Sequence, residues 1–264
     1  LKNIAFLGVG NMAGAIIGGL AGKSDLQISL YDTNPAQYAR FEGQGYTCHS
    51  TAAEAVAWAD YIVLSVKPQN FAELAGMIGS VPTAGKVFIS IMAGVSIARI
   101  TELLGNGAAV IRTMPNAPLM IGMGVTALTR NEPVSDHDFE FALGIFSSLG
   151  EVLVVDESQM NAIIGVTASA PAYVYSLIRA IYDGAAEQGI APAEMLDIIC
   201  SMVEGSAKML RMSGKTPDEM IGLVASKGGT TEAALAVLRE RGFEEALRAA
   251  MAACTRRADE LSAM

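Results

Sequence analysis

Three stretches of this chain have residue types and spacings that could do chemistry. The first is Gly8-Val9-Gly10-Asn11-Met12-Ala13, a G-x-G-x-x-A run. In such a run the first glycine allows a tight turn and the second leaves bare backbone for a pyrophosphate. The small third residue lets a helix pack closely on a strand. The unbonded N–H groups at the helix start then face the anion. The second is Asp32, roughly 20 positions beyond the glycines, where a carboxylate would hold a ribose 2′-hydroxyl. No arginine follows it immediately, and Arg40 is the nearest. Thr33 and Asn34 stand beside it as hydrogen-bonding groups. The third is Ser226-Lys227-Gly228-Gly229-Thr230-Thr231, with a helical pattern after it. Consecutive backbone N–H groups at such a Gly loop make a carboxylate-sized anion site. The equal alternative is a capped helix behind a Gly turn, since Thr is a good N-cap.

An alternation of short strands and helices must position these residues. Ile4, Ala5, Phe6 and Leu7 form an apolar strand ending on Gly8. Ala13, Ile16, Ile17 and Leu20 follow at helical spacing, with Gly22 as the stop. Further strands are expected over residues 27–31, 61–66, 86–91, 109–114, 124–129 and 151–155. Helices are expected from the capping box at Thr51, over 70–78, from Ser96 to Leu104 and over 135–149. This order predicts an α/β fold, a Rossmann-type doubly wound and mostly parallel sheet. Ligands of such sheets bind outside the carboxyl ends of the strands. Gly8, Asp32, residues 65–68, 92–94 and 114–116 all fall there, which makes one cofactor cleft.

After Val155 no strand pattern remains. Asp156 opens a long helical stretch to about Gly189, with Pro171 expected to kink it. Later helices start at Pro192, at Pro217, after Thr231 and at Phe243. Two domains are therefore expected: a dinucleotide-binding domain, residues 1–155, and an all-helical domain, residues 156–264. Met195, Met202, Met209 and Met212 lie at helical spacings and read as core or subunit interface.

Composition excludes several classes. The 264 residues carry a formal net charge of −9, which argues against nucleic acid and against an anionic membrane surface. Apolar runs are short, so no segment reads as membrane-spanning, and the first residues read as a strand rather than a signal peptide. Cys48, Cys200 and Cys254 have neither metal spacing nor a C-x-x-C pair, which fits reduced thiols in the cytoplasm. His49 and His137 have no partner identifiable from sequence and read as non-catalytic, and no metal site is expected. Arg112 reads as structural, and Asp183 with Glu187 as a polar helix face.

Five stretches together resemble one family: residues 4–14 (IAFLGVGNMAG), 65–68 (SVKP), 112–118 (RTMPNAP), 165–173 (GVTASAPAY) and 226–234 (SKGGTTEAA). They are similar, in order and over nearly the whole chain, to pyrroline-5-carboxylate reductases, the enzymes of the last step of proline synthesis. The resemblance implies reduction of a cyclic imine bearing a carboxylate, by hydride transfer from NADPH or NADH. It implies that Gly8, Gly10, Asn11, Met12, Asp32, Asn34, Val66, Lys67, Pro68, Ala93 and Gly94 bind the cofactor. It implies that Ser226, Gly228, Gly229, Thr230, Thr231 and Asn116 bind the substrate, with residues 168–171 lining the cleft. Thr231 would be the catalytic hydroxyl at the ring nitrogen, orienting the imine or relaying a proton from water, unless the imine binds already protonated. The family usually has Pro where this chain has Lys227, and its usual preference for NADPH stands against Asp32, which alone favours NADH. A homodimer through the helical domain, and larger assemblies, are implied as well.

Two rivals remain. A 3-hydroxyacid dehydrogenase of similar architecture would carry a catalytic Lys in the region of residues 165–175, which contains none. A non-catalytic nucleotide sensor would not need a second anion-binding Gly loop.

Overall fold

A computed structural model of the chain describes residues 1–41, 43–79, 81–190 and 192–262. It forms two compact units, Leu1–Ser169 with Ala252–Met264, and Ala170–Met251.

In the first unit β1 (Lys2–Leu7), α1 (Asn11–Leu20), β2 (Leu26–Tyr31), a 3-10 turn (Pro35–Phe41) and β3 (Thr47–Cys48) are followed by α2 (Ala52–Trp58). Then come β4 (Tyr61–Leu64), α3 (Phe71–Ile78), β5 (Val87–Ser90), α4 (Ile97–Leu104) and β6 (Ala109–Met114). β7 (Gly124–Arg130), α5 (Asp136–Ser147) and β8 (Gly150–Val154) complete the sheet. The strand order is β3-β2-β1-β4-β5-β6-β7-β8, with only β6 and β7 antiparallel among the paired strands.

Alternation along the buried strands explains the double winding. Ile4 and Phe6 join α1 and α5 in one core, while Ala5 and Leu7 join α2, α3 and α4 in the other. Successive side chains leave a strand on opposite faces, so an unbroken apolar run needs helices on both. The caps expected at Thr51 and Ser96 form: Thr51 and Glu54 make a capping box, and Ser96 accepts from Arg99 N at 3.2 Å. The edge strand β3 has only two residues, too short to leave a sequence signature.

No strand follows β8 among the described residues. The compact units nevertheless divide after Ser169 rather than after Val155, because Met160, Ile164 and Ala258 pack with Met114 and Ala127 of the sheet. The long helical stretch consists of α6 (Met160–Ile163), a π-turn (Ile164–Ala168) and α7 (Ala170–Glu187). Its irregularity therefore lies just before Pro171. Pro171 has no N–H for the carbonyl of Thr167, and that carbonyl accepts from Asn116 Nδ2 at 3.2 Å. The stretch Glu157–Glu187 is, by length and composition, long and apolar enough to cross a membrane.

The second unit holds α7, α8 (Met195–Ser213), α9 (Pro217–Val224), α10 (Thr230–Glu240) and the first part of α11 (Phe243–Ser262). Its helices expose large apolar side chains, among them Tyr175, Leu196, Ile198, Met209 and Leu223, and Met212 is 76% exposed.

Candidate functional site

The register of β1 with its neighbours sets the site. Leu7 pairs with Tyr31 on one side and Leu64 on the other, and Leu64 pairs with Ser90. Gly8, Asp32, Ser65 and Ile91 therefore leave the sheet side by side. Gly8 N donates to Tyr31 O at 2.8 Å, Ser65 N to Leu7 O at 2.9 Å and Ile91 N to Leu64 O at 3.1 Å.

Gly8 has φ +92°, and a Cβ there would lie 2.6 Å from the carbonyl oxygen of Ser65. The turn thus excludes a side chain on both grounds. Around Gly10 no heavy atom lies within 4 Å of where a Cβ would be. Gly10 caps α1 without any side-chain bond, and Gly14 N donates to Gly10 O at 2.9 Å. The N–H groups of Asn11, Met12 and Ala13 therefore have no acceptor inside the helix. Bare backbone, open donors and the positive end of the helix dipole fit a dinucleotide pyrophosphate.

Asp32 is tied to the Gly loop. Its Oδ2 accepts from Val9 N at 2.7 Å and its Oδ1 from Asn34 N at 2.8 Å. Asn34 Oδ1 accepts in turn from Ala36 N at 3.1 Å. The Tyr38 hydroxyl accepts from Asp32 N and donates to Asp32 O, and burial pushes this phenol above its ordinary range. Beside these residues is a cavity of about 150 Å3, lined by Gly8, Asp32, Thr33, Val66 and Glu73 among others. Two carboxylates and no cation are among its described lining residues.

Arg40 has a larger part than its place in the sequence suggests. Its guanidinium donates to the carbonyls of Val9 and Gly10, and its Cζ lies 2.9 Å from where a Cβ on Gly14 would be. The signal for this contact is Gly14 itself, an otherwise costly residue inside a helix.

The other strand ends carry the remaining expected cofactor contacts. Val66 is half-buried, and exposed Lys67 precedes the 3-10 turn Pro68–Asn70, where Asn70 N donates to Lys67 O at 2.9 Å. Ala93 and Gly94 form the turn after β5, with Gly94 at φ +72°. No local pattern announces what lies on that turn: Leu261 and Ser262, at the end of α11.

Asn116 is buried, and both ends of its amide are engaged within the chain. Nδ2 donates to Thr167 O, and Oδ1 accepts from Val125 N at 2.8 Å. It joins the segment after β6 to β7 and to the π-turn. Arg112, expected to be structural, is 2% exposed, with Glu157 Oε1 at 2.9 Å and Asn161 Oδ1 at 2.6 Å.

In the second unit the loop of residues 226–231 leads into α10. Gly229 is its N-cap, so Thr230 and Thr231 lie in the first turn and neither is the cap. No side chain caps this helix. Gly229 N donates to Ser226 O at 3.0 Å, Gly228 N donates to Glu232 Oε2 at 2.6 Å, and a Cβ on Gly229 would meet Ser226 Oγ at 2.6 Å. Lys227 is exposed and Thr231 half-buried. The first-turn N–H groups, like those of α1, have no acceptor inside the helix.

His137 Nε2 lies 3.1 Å from Lys2 Nζ, and the His49 ring lies against Trp58 with centroids 5.7 Å apart. Among the described residues no group of three or more His, Cys, Asp or Glu side chains is placed to hold a metal ion.

Known proteins match the whole chain. A family model described as pyrroline-5-carboxylate reductase dimerisation matches residues 157–261, and one described as NADP oxidoreductase coenzyme F420-dependent matches residues 3–94. The chain is 36% identical to the pyrroline-5-carboxylate reductase of Escherichia coli over 265 residues, covering 99% of this chain and 98% of that one. A structure of 1-pyrroline-5-carboxylate reductase from Streptococcus pyogenes is similar with a TM-score of 0.91 at 27% identity, over 98% of each chain. Pyrroline carboxylate reductase from Plasmodium falciparum, solved with NADP bound, has the same fold, with a TM-score of 0.91 at 23% identity over 99% of this chain and 98% of that one.

Proposed function

The chain belongs to the pyrroline-5-carboxylate reductase family, and we propose on that premise that it reduces L-1-pyrroline-5-carboxylate to L-proline with NADPH or NADH. The observation that carries this reading is the uncapped N-terminus of α1, set at Gly10 beside the level strand ends.

The backbone of Gly8, Gly10, Asn11 and Met12 holds the pyrophosphate. Asp32 and Asn34 stand at the ribose, and Val66, Lys67, Pro68, Ala93 and Gly94 line the nicotinamide side. A bound dihydronicotinamide supplies the hydride that the imine carbon receives. The loop of Ser226, Gly228, Gly229, Thr230 and Thr231 holds the substrate carboxylate, with the open N–H groups those of Thr230 and Thr231 in the first turn of α10, which the absence of a side-chain cap on that helix supports. Thr231 Oγ1 is the catalytic group at the ring nitrogen. A Thr hydroxyl is a weak acid, so its part is to orient the imine and pass on a proton from water. Asn116 serves the substrate side by fixing the π-turn through Thr167. No step asks for a metal.

The functional division is residues 1–155 for the dinucleotide and residues 156–264 for substrate and subunit pairing, of which residues 42, 80, 191, 263 and 264 lie outside the described residues. A homodimer through the helical domain, able to build larger assemblies, is supported by the apolar side chains exposed on α7, α8 and α9. Such pairing would also cover the apolar stretch Glu157–Glu187, of whose most apolar window 11% is buried. No membrane or nucleic-acid partner is proposed, and the net charge of −9 supports this. The free thiols Cys48, Cys200 and Cys254 support work in the cytoplasm.

Amino-acid analysis of a reaction with pyrroline-5-carboxylate and reduced nicotinamide nucleotide tests the reading. Proline is the expected product; its absence, with cofactor bound, would leave a dinucleotide-binding protein of another activity.

A further inference from the structure

We infer that the end of α11 is a clamp on the cofactor turn at Gly94, with Ser262 and Asn161 as its positioning residues and buried Arg112 as its anchor. This rests on the reading that Ala93 and Gly94 face the nicotinamide side.

Two separate observations place α11 on the turn. The first is steric: a Cβ on Gly94 would lie 2.8 Å from Leu261 Cβ and 3.0 Å from Ala258 O, so the helix lies directly on the backbone. The second is polar: Ser262 Oγ donates to the carbonyl oxygen of Gly94. A residue 168 positions along the chain thus sets the orientation of the peptide that follows Gly94.

The direction of that bond is determined from the core. Arg112 carries only donors. Its Nη2 donates to Asn161 Oδ1 at 2.6 Å, which fixes which end of the amide is oxygen. The two hydrogens of Asn161 Nδ2 are then left for Asp259 Oδ1 at 2.7 Å and Ser262 Oγ at 3.1 Å. Ser262 becomes an acceptor towards Asn161, and its own hydrogen turns towards Gly94 O; Ala258 O, at 3.0 Å, is the other acceptor in its reach. Every donor in the row from guanidinium to amide to hydroxyl to carbonyl points the same way, which strengthens each bond. Because Arg112 is 2% exposed, its charge cannot turn to water instead.

The same anchor holds the far end of the turn. Glu157 Oε1 accepts from Arg112 Nη1 at 2.9 Å and from Ile97 N at 3.1 Å, at the start of α4. At the near end Met92 N donates to Ser90 Oγ at 3.3 Å. The segment between β5 and α4 is thus fastened at its start, its middle and its end, and only the middle fastening comes from α11.

The test is Ser262→Ala in the full-length chain, with Ser262→Thr as the conservative variant. Binding of NADH and of ADP-ribose, which lacks the nicotinamide, is measured by calorimetry beside a thermal melt. Losing one hydrogen bond to the turn should raise the NADH dissociation constant by about five- to tenfold, leave ADP-ribose within about twofold, and be reversed in Ser262→Thr. NADH affinity unchanged in Ser262→Ala, or equal losses for both ligands, would overturn the clamp. Failure of the unsubstituted chain to bind NADH or NADPH at all would instead remove the functional reading beneath it.

Discussion

Asp32 accepts a 2.7 Å hydrogen bond from the backbone N–H of Val9, between the two glycines of the anion loop. The residue expected to hold a ribose therefore also holds the Gly loop. Its carboxylate and that of Glu73 line the adjacent cavity, with no cation among the described lining residues. A 2′-phosphate there meets negative charge, so NADH should bind more tightly than NADPH. Asp32→Asn keeps one acceptor and removes the charge. It should shift the ratio of the two dissociation constants towards NADPH by about tenfold, as read by nucleotide fluorescence titration; an unchanged ratio would remove Asp32 as the discriminator.

Arg40 makes the second prediction. Its guanidinium lies on the carbonyls of Val9 and Gly10, in the Gly loop rather than in the cavity beside Asp32. Arg40→Ala should weaken NADH and NADPH alike, by about tenfold each at low salt and less at high salt. A loss confined to NADPH would place Arg40 at the 2′-phosphate instead.

Thr231→Val keeps the shape and removes the hydroxyl. Turnover should fall by about 10²-fold while the KM for the imine changes little, as expected for a group acting on the proton and not on the carboxylate. Steady-state kinetics over a range of pH reads both, and near-normal turnover would dismiss the relay.

The amino ends of the strands make a control at the opposite end of the sheet from the Gly loop. Tyr61 donates to Asp138 Oδ1 at 2.6 Å and accepts from Lys2 Nζ at 2.9 Å. Burial, with the Asp138 bond added, raises the Tyr61 phenol above its usual range. For Asp138, burial acts upward, but hydrogen bonds from Ser135 and Tyr61 outweigh it and lower the carboxyl. A lowered carboxyl stabilises the fold above its unfolded pKa of about 3.9, and that stability is lost as pH falls through the folded value. A raised phenol stabilises below its unfolded pKa of about 10 and loses that stability as pH rises towards the folded value. Thermal melts across pH should therefore decline at both ends. Tyr61→Phe should flatten both declines and leave kcat/KM unchanged; a change in kcat/KM would link this cluster to the site.

The helical unit makes a prediction about mass. With Met212 76% exposed and Tyr175, Leu196, Ile198, Met209 and Leu223 also exposed on the helices of this unit, light scattering at micromolar concentration should give at least two chains per particle. A one-chain mass would contradict the pairing.

What was legible in the sequence was what local pattern encodes. The run from Ile4 to Leu20 announces strand, turn and helix because each residue's neighbours are its structural partners. Thr51 and Ser96 announce caps for the same reason. The sequence did not show what long separations decide. Arg40 reaches the Gly loop from 31 positions away, and Ser262 reaches Gly94 from 168. The π-turn at Ile164–Ala168 shows in the sequence only as a kink at Pro171, because periodicity registers a proline but not the carbonyl that Asn116 serves. Thr231 was legible only through its motif, since a Gly loop before a helix reads equally well as a cap. In the structure the cap is Gly229 rather than either Thr.

The most direct test of imine reduction is absorbance at the nicotinamide band with pyrroline-5-carboxylate, once with NADH and once with NADPH. Oxidation with both, faster with NADH at limiting nucleotide, is the expected result. No oxidation with either nucleotide, in a chain that binds them, would contradict imine reduction.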